Sequence, residues 1–491
     1  MEIKNILTGD KSKYTVLYTL IGLYIGLNCL LVYFDFYWMF FLPILLVIMF
    51  LYFYSLDKIL LLITLATPLA VNIADREFRL GVSIPTEPLM FGVMIIFLLK
   101  LILDKNLLDK RILKHPVTII IFIQLAWIFI TSLTSHMPLV SFKFLLARLW
   151  FVIPFYLLGI VLFKDLVNIR RFIWLYTLPL IIVIFYTIYN HSLLNFEKIP
   201  GHYVMEPFYN DHTAYGAILA LFIPVFFSFM FIGKYPKITR FLSFIVLSIL
   251  LVAFALSYCR AAWVSLAGAI GVFMLVLFKI KFKWIALGAI IMASVIYVYQ
   301  DEIIDRMETR KKTKAKTYTD QIRSISNIST DDSNLERLNR WHSAIRMFEE
   351  RPVFGFGPGT YQFVYAPFQR SEEKSLISTN SGERGNAHSE YLGPLSEQGL
   401  PGMLIVIALV TMTAITALRV HRRAENREIR ILSLAIMLGL TTYFGHGLMN
   451  NFLDTDKASV PVWGFIAFLV AMDLFYVKSK DAKAESPVAD S

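Results

Sequence analysis

Apolar blocks of about 17–25 residues recur along almost the whole chain, and short basic connectors separate them. A block of this length forms a helix that crosses the hydrocarbon core of a bilayer, where every backbone hydrogen bond must be made internally. The 491 residues are 57% hydrophobic and 17% charged, which excludes an ordinary soluble domain. The pattern therefore predicts an all-α polytopic membrane protein.

We predict about 14 transmembrane helices, with a range of 12–14 because neighbouring segments can be merged. The third segment is short and contains Pro68, so a tilted, broken or re-entrant segment is the alternative there. The predicted spans lie near residues 14–34, 36–55, 59–74, 88–103, 117–135, 142–163, 171–190, 213–232, 240–257, 261–278, 284–300, 401–418, 430–451 and 459–477.

Lysine and arginine accumulate in alternate connectors. One side of the predicted membrane carries clusters such as Lys110 to Lys114, Lys279 to Lys283 and Arg419 to Arg430, and the opposite connectors carry few bases. The net charge of +11 is thus concentrated on the side that the positive-inside rule assigns to the cytoplasm, and we do not read it as a nucleic-acid surface. Both termini are predicted to be cytoplasmic.

The long polar run between the late spans is predicted to lie on the opposite, periplasmic side. Its helix opens at Ser333 with Glu336 three residues later, a capping box, and apolar residues at steps of three and four continue until Pro352. The predicted organisation is an N-terminal transmembrane region of about 11 helices (1–300), a large, partly helical periplasmic loop (301–400), C-terminal transmembrane helices (401–477) and a disordered cytoplasmic tail (478–491).

Three motifs follow one another in this loop. They are Arg337-Leu338-x-x-Trp341, Pro352-x-x-Gly355-x-Gly357 and His388-Ser389-x9-Gly399-x-x-Gly402. Each is weak alone, but their order and their position late in a multi-span protein resemble the bacterial O-antigen ligase and polymerase superfamily. The detailed resemblance covers about residues 205–455.

The resemblance implies a glycosyltransferase of the bacterial inner membrane, with a periplasmic active site. It would move a glycan from undecaprenyl diphosphate to a hydroxyl of lipid A–core, of another glycan or of a protein. The extended histidine motif is most similar to the ligase version, so ligase is the first hypothesis. A repeat-unit polymerase and a protein O-oligosaccharyltransferase are the alternatives within the superfamily, and a lipid-linked glycan transporter is the alternative from another class.

Several polar groups fall on the predicted outer side. Arg148 lies about two turns below the outer surface, and Arg260 belongs to Ser257-x-x-Arg260-Ala-Ala-Trp263, a run that the family shares. Each arginine has a structural alternative, namely snorkelling for Arg148 and interfacial anchoring for Arg260. The remaining candidates are Asp211, His212, Glu397 and His446, for which helix capping, helix packing or solvation are the alternatives.

Chemistry and the resemblance together assign the roles. An outward site has no nucleotide sugar, so a diphosphate leaving group must supply the driving force, and arginine forks stabilise its charge. Arg148, Arg260 and Arg337 are the predicted diphosphate ligands, His388 is the predicted general base, and Glu397, His212, Asp211 and His446 are possible supporting residues. We expect no metal and no cofactor, because the loop has no ligand-spaced cluster; membrane lipids are the other expected partners, and nucleic acid is not.

Reporter fusions test the orientation. Phosphatase and galactosidase fusions after Lys114, Lys283 and Arg423 should report the cytoplasm, because positively charged connectors are retained there. Fusions within 310–380 should report the periplasm. A cytoplasmic signal from the large loop would contradict both the orientation and a periplasmic active site.

Overall fold

The computed structural model describes residues 10–75, 80–198, 200–280, 294, 298–299, 335–374, 378 and 385–477. The chain forms two compact units, residues 1–59 and 60–491. Among the described residues, 11 helices are long and apolar enough to cross a membrane. The prediction of an all-α polytopic membrane protein is confirmed.

Helices account for nearly all of the regular structure. In chain order the elements are α1 (Asp10–Tyr33), α2 (Leu42–Tyr54), α3 (Leu56–Ala66), β1 (Val71–Asp75), β2 (Leu80–Ile84), α4 (Thr86–Leu103), α5 (Lys110–Lys114), α6 (Pro116–Leu133), α7 (Pro138–Leu162), α8 (Leu166–Leu193), α9 (His212–Phe229), α10 (Lys237–Leu256), α11 (Arg260–Leu277), α12 (335–350), α13 (Tyr361–Val364), α14 (Leu392–Arg423), α15 (Arg427–His446) and α16 (Asp456–Tyr476). Several of these helices contain proline. Helix α7 includes a π-helical turn at Ile153–Leu158, which contains Pro154.

The second and third predicted spans differ from this arrangement. The second is the 13-residue helix α2, preceded by a 3₁₀ turn. The third, 59–74, is broken: the 11-residue α3 gives way to a 3₁₀ turn at Thr67–Leu69, because Pro68 has no amide donor, and an antiparallel hairpin of β1 and β2 follows. The eleventh, 284–300, falls almost entirely outside the described residues, as does the disordered tail predicted at 478–491.

The large loop and the C-terminal helices also meet at a different residue from the predicted one. Helix α14 begins at Leu392 rather than at residue 401, and it contains a break at Gly399. The predicted amphipathic helix is present as α12, which ends at residue 350, just before Pro352. Ser333, the predicted N-cap of that helix, lies outside the described residues.

The first unit contains α1 and α2. Its helices present apolar side chains outward, with Leu23 and Leu46 both more than half exposed. The Tyr24 hydroxyl donates to the Met39 carbonyl at 3.1 Å and links α1 to the turn before α2. Apolar exposure on this scale is expected where lipid is the solvent.

Helix α16 forms the core of the second unit, since 83% of the residues in its apolar 18-residue stretch are buried. Its first turn holds a buried lysine, Lys457, whose Nζ donates to the carbonyls of Thr67 at 2.5 Å and Ala70 at 2.6 Å. A buried ammonium is tolerated only with such partners, so the end of α3 and the turn after it are fixed to α16.

The helix ends of the second unit sort into two faces. The basic face contains the connectors 104–116, 163–166, 230–237 and 424–427, and its members contact one another: His115 Nε2 lies 3.2 Å from Asp473 Oδ2, and the Tyr235 hydroxyl donates to Glu428 Oε1 at 2.9 Å. The loop face contains the connectors 134–138, 194–212, 257–260 and 446–456 and the loop 335–391. Thr86 donates to Asp456 at 2.6 Å on this face.

Substitution of Lys457 tests the fixing of α16. Lys457→Met removes two charge-assisted hydrogen bonds from a buried site, and we expect the free energy of unfolding to fall by about 2–4 kcal/mol. Lys237→Met, at an exposed position of the basic face, is the matched control and should change it by less than about 0.5 kcal/mol. Thermal unfolding of the purified protein in detergent measures both, and equal midpoints for the two variants would contradict the assignment.

Candidate functional site

The glycine-rich turn of the loop is hydrogen-bonded to the break in α14. The Phe356 and Gly357 amides donate to the carbonyls of Ser396 at 3.2 Å and Glu397 at 2.8 Å, and the Leu400 amide donates to the Pro352 carbonyl at 2.9 Å. Both segments leave the regular helical pattern and so release backbone groups that need partners. The backbone groups of the two segments form hydrogen bonds with each other, and these bonds join the glycine motif to the histidine motif, which are far apart in the sequence.

Glycine is required at these contacts by both conformation and space. Gly399 has φ +70° and ψ −171°, a region that is essentially restricted to glycine. A Cβ there would lie 2.1 Å from the Val353 carbonyl oxygen, and a Cβ at Gly355, which has φ +63°, would lie 2.3 Å from the Glu397 carbonyl carbon. The two backbones approach each other too closely for any side chain.

Glu397 completes this junction. Its buried carboxylate accepts from the Gly359 amide through Oε2 and from the Tyr361 amide through Oε1, both at 2.9 Å. The side chain thus holds the turn that leads into α13. Its described contacts are with the glycine turn, and it was predicted only as a possible supporting residue.

Helix α12 packs on a small core within the loop. Ala344 and Met347 of α12 are buried against Phe356 and Tyr361, and Ala387 closes the same cluster. The Tyr361 hydroxyl donates to the Arg340 carbonyl at 2.8 Å. This core orients the face of α12 that carries its first two arginines.

Those arginines, Arg337 and Arg340, are three residues apart and so lie on one side of α12. Arg340 is buried and donates through Nε to Glu336 at 2.7 Å and through a terminal nitrogen to the Asn386 carbonyl at 3.2 Å. Arg340 was missed by the sequence analysis, although its spacing from Arg337 was visible. Its bond to Asn386 places it beside the histidine motif.

His388 lies next to these cations. Its backbone has φ +47°, its amide donates to the Asn386 side chain at 3.0 Å, and its carbonyl accepts from Trp341 Nε1 at 3.4 Å. Burial, and after it the charges of Arg340 and Arg337, lower the pKa of His388 to about 3. The imidazole is therefore neutral at neutral pH, which a general base requires.

A second group of predicted residues surrounds Arg337. Asp211 caps α9 by accepting from the Thr213 and Ala214 amides, both at 2.8 Å, and its charge also acts on His388 and Arg337. The hydrogen bonds of Asp211 are therefore those of a helix N-cap, the structural alternative that the sequence offered for it. The cap positions one negative charge beside the guanidinium.

Histidines from three elements border the same group. His446 accepts from Asn450 Nδ2 at 2.8 Å and lies 4.0 Å from Cys259 Sγ. His212 stacks on His202 with ring centroids 3.9 Å apart. Arg337 interacts electrostatically with His212, His388 and His446, which brings α9, α12, α15 and the histidine motif to one place on the loop face.

Arg260 begins α11 at the edge of this group. It is exposed and lines a groove of about 400 Å³ together with Lys198, Tyr258 and Trp263. The charge of Arg260 reaches Lys198, whose pKa is lowered by partial burial and by this neighbour. The groove has two cations at its rim and an apolar floor, a combination suited to the phosphate and chain of a lipid.

Arg148 lies elsewhere on the loop face. Its guanidinium is buried, donates to Asp454 at 2.7 Å and to the Leu453 carbonyl at 3.4 Å, and stacks over the Phe144 ring at 5.3 Å. The electrostatic partners of Arg148 are Glu390, Glu397 and Asp454, a set that Arg337 does not share.

Glu390 fixes the histidine motif to the connector after α15. Its buried Oε1 accepts from the Phe452 and Leu453 amides at 2.9 Å and from the Tyr443 hydroxyl at 2.8 Å. The Glu390 amide donates in turn to the Gly447 carbonyl at 2.8 Å. Glu390 was missed by the sequence analysis, because an acid two residues after a motif histidine gives no sign of its remote partners.

A cavity of about 700 Å³ lies beneath the loop, between α6, α7, α14 and α15. Arg148, Asp454 and Glu397 line it, as do Asn386 and Ser389, which flank His388 on either side. The structure therefore brings His388, Arg337, Asp211, His212 and His446 together, with Arg260 at the rim of the neighbouring groove and Arg148 on the cavity wall. Within the described residues, no group of three or more His, Cys, Asp and Glu side chains is arranged to hold a metal ion.

Comparison with known proteins identifies the region that carries this site. Residues 245–407 match a family profile described as O-antigen ligase. The matched region runs from α10 into α14 and so contains Arg260, Arg337, His388 and Glu397. An uncharacterized protein of Haemophilus influenzae Rd is 23% identical over 245 residues, which are 49% of this chain and 59% of that relative. The chain thus spans under two thirds of the relative's length.

Substitution of Gly399 tests the junction between the turn and α14. Gly399→Ala places a methyl group against the Val353 carbonyl in a conformation closed to alanine, and we expect the free energy of unfolding to fall by about 3 kcal/mol or more. Gly393→Ala in the same helix is the matched control, since a Cβ there meets nothing within 4 Å. Thermal unfolding in detergent compares the two, and a Gly399→Ala protein as stable as the control would refute the junction.

Proposed function

We propose that this chain is an O-antigen ligase/polymerase-type membrane glycosyltransferase and a member of the O-antigen ligase superfamily. Within that superfamily, we propose that it is a ligase, which transfers a glycan from undecaprenyl diphosphate to an acceptor hydroxyl. The reaction would take place at the loop face, on the periplasmic side of a bacterial inner membrane. The acceptor would be lipid A–core or a similar glycan. One observation carries the proposal, namely a neutral histidine held beside two arginines inside the matched region.

The diphosphate would bind at the groove rim and the arginine face of α12. Arg260 and Lys198 would reach it from the lipid side, with the polyprenyl chain on the apolar floor beside Trp263. Arg337 would approach from the loop. Paired guanidinium groups stabilise the charge that grows on the leaving oxygen as the bond to the anomeric carbon breaks. We do not include Arg148 among the proposed diphosphate ligands, because its guanidinium is bound to Asp454 and lines the cavity.

His388 would remove the proton from the attacking hydroxyl. The new bond forms between that oxygen and the anomeric carbon, while undecaprenyl diphosphate leaves with the bonding electron pair. Bound diphosphate adds negative charge near the imidazole and so raises its pKa, which makes the histidine a stronger base once the donor is present. Asp211, His212 and His446 would support the arginine and the histidine. No step requires a metal or a cofactor.

Two alternatives share parts of this site. A repeat-unit polymerase or a protein O-oligosaccharyltransferase would use the same donor chemistry and differ in the acceptor. A lipid-linked glycan transporter would bind the diphosphate and form no new glycosidic bond. The ligase form of the motif His388-Ser389-x9-Gly399-x-x-Gly402 favours the first hypothesis over these.

Separate measurements of donor binding and transfer test the assigned roles. His388→Ala should lower the single-turnover transfer rate on the order of 10²–10⁴-fold while the affinity for undecaprenyl diphosphate changes little. Arg260→Ala should weaken that affinity, and Arg260→Lys should restore it only in part because the two-oxygen grip is lost. Arg422→Ala, exposed on the basic face, is the control. Wild-type transfer by His388→Ala across pH 6–8 would exclude this histidine as the base.

The pH dependence provides a further check of the same role. Because the pKa of His388 is lowered to about 3 without donor, the base form is fully present at pH 5 and above. The acid limb of kcat/KM, which reports the free enzyme, should therefore lie below pH 5. The limb of kcat, which reports the donor complex, should lie at higher pH. Coincident limbs near pH 6.5 would contradict the proposed environment.

A further inference from the structure

We propose that the cavity beneath the loop binds the acceptor saccharide, and that it selects an uncharged, hydroxyl-rich sugar. This inference rests on the proposed function, because it names the substrate class of the same site. The cavity is about 700 Å³, within the range of pockets that hold small ligands. Its position, lining chemistry and charge each contribute to the argument.

The lining is rich in side-chain amides. Six of the residues that line the cavity carry a side-chain amide, namely Gln124, Asn210, Gln362, Asn386, Gln398 and Asn451. A carboxamide offers both a donor and an acceptor, so it pairs with a sugar hydroxyl in either sense. Phe144 and Tyr361 add aromatic surface to the same wall. The combination of amides and rings is suited to a saccharide.

Two of these amides have unused hydrogen-bonding capacity. Gln124 is only 7% exposed, yet its Oε1 has no hydrogen-bond partner among the described residues. Asn451 Oδ1 likewise has none in that part of the chain. Gln124 lies near the middle of α6, and a buried carbonyl without a hydrogen-bond partner is costly. A hydroxyl bound in the cavity would supply the missing donor.

Acidic residues outnumber cations among the described residues of the cavity wall, which include one arginine and three acids. Arg148 is paired with Asp454 at 2.7 Å, and the carboxylates of Glu390 and Glu397 accept hydrogen bonds from backbone amides. No arginine or lysine without an acidic partner lines the cavity in the described residues. A phosphate or a uronate would therefore find no free cation here, in contrast to the groove beside Arg260 and Lys198. This difference separates the acceptor region from the donor region.

The histidine motif borders both regions. Asn386, Ala387 and Ser389 line the cavity, while the charges of Arg337 and Arg340 act on His388 itself. An acceptor hydroxyl that enters from the cavity would reach the base from the side opposite the leaving diphosphate. A single in-line displacement at an anomeric carbon needs this opposed arrangement of the entering and leaving oxygens.

Saturation-transfer NMR on the purified, detergent-solubilised protein tests the cavity without requiring catalysis. The probes are the methyl glycosides of glucose, galactose and N-acetylglucosamine, with the methyl glycoside of glucuronic acid as the charged comparison. At least one neutral glycoside should give saturation transfer, and the glucuronide should bind at least several-fold more weakly. Gln124→Leu should raise the Kd of the neutral glycoside about 3–10-fold, the expected loss for one neutral hydrogen bond.

Two further variants control for folding. Thr131→Val, in the same helix, removes a buried hydroxyl that is bonded within α6 and should leave the Kd unchanged. Gln124→Asn keeps an amide on a side chain that is shorter by one methylene group. The Kd of this variant should therefore fall between those of the wild type and Gln124→Leu. The cavity proposal is overturned if no neutral glycoside binds, if the glucuronide binds best, or if Gln124→Leu and Thr131→Val have equal effects.

The outcome is separable from that of the proposed function. A protein that transfers glycan normally but binds no neutral glycoside would refute the acceptor cavity and leave the transferase in place. A protein that binds glycosides in the expected pattern without any transfer would support the cavity and refute the transferase. His388→Ala should bind the glycosides normally in either case.

Discussion

The hydrogen bonds between the glycine turn and the broken start of α14 are the constraint on which the outer site depends. An irregular segment in an apolar protein leaves amides and carbonyls without partners, and each unpaired group is costly. Here the amides of Phe356, Gly357 and Leu400 donate to carbonyls on the opposite side of the junction. The Glu397 side chain accepts hydrogen bonds from two further amides. The junction also reaches the connector between α6 and α7, where the His136 amide donates to the Phe356 carbonyl at 2.9 Å.

A second set of bonds, through Glu390, holds the other side of the histidine motif. His388 and Ser389 therefore lie between two anchored segments, one at Ser396 to Leu400 and one at Gly447 to Leu453. His388 itself has a positive φ, which is a strained conformation for histidine unless the surroundings fix it. The two anchors restrain the backbone on either side of His388. Geometry of this kind matters because a general base must be held within hydrogen-bonding reach of its substrate.

Sequence periodicity was sufficient for what depends on local chemistry. Apolar length predicted the spans, and the spacing of leucines and aromatics predicted α12, which ends before Pro352 as expected. The resemblance led to Arg337 and His388. Long-range pairing was not predictable: nothing near Glu390 reveals Phe452 as its partner, and nothing near Gly399 reveals Val353. The third predicted span is broken after α3, which was one of its predicted alternatives, but apolar composition alone does not distinguish a helix from the hairpin that follows Pro68.

Charge is divided unevenly within the loop face, and the division follows from the backbone arrangement. Helix α12 carries Arg337 and Arg340 on one side, and α11 starts with Arg260, so cations collect where these elements meet the cap of α9. The cavity on the other side of the histidine motif has Arg148 bound to Asp454, and six residues with side-chain amides are among those that line it. If Arg148 had no acidic partner, the cavity would also attract a diphosphate, and in the proposed reaction the donor would compete there with the acceptor. A paired arginine keeps the cavity polar without making it an anion site, and in the proposed reaction His388 would then lie at the boundary between two unlike ligands.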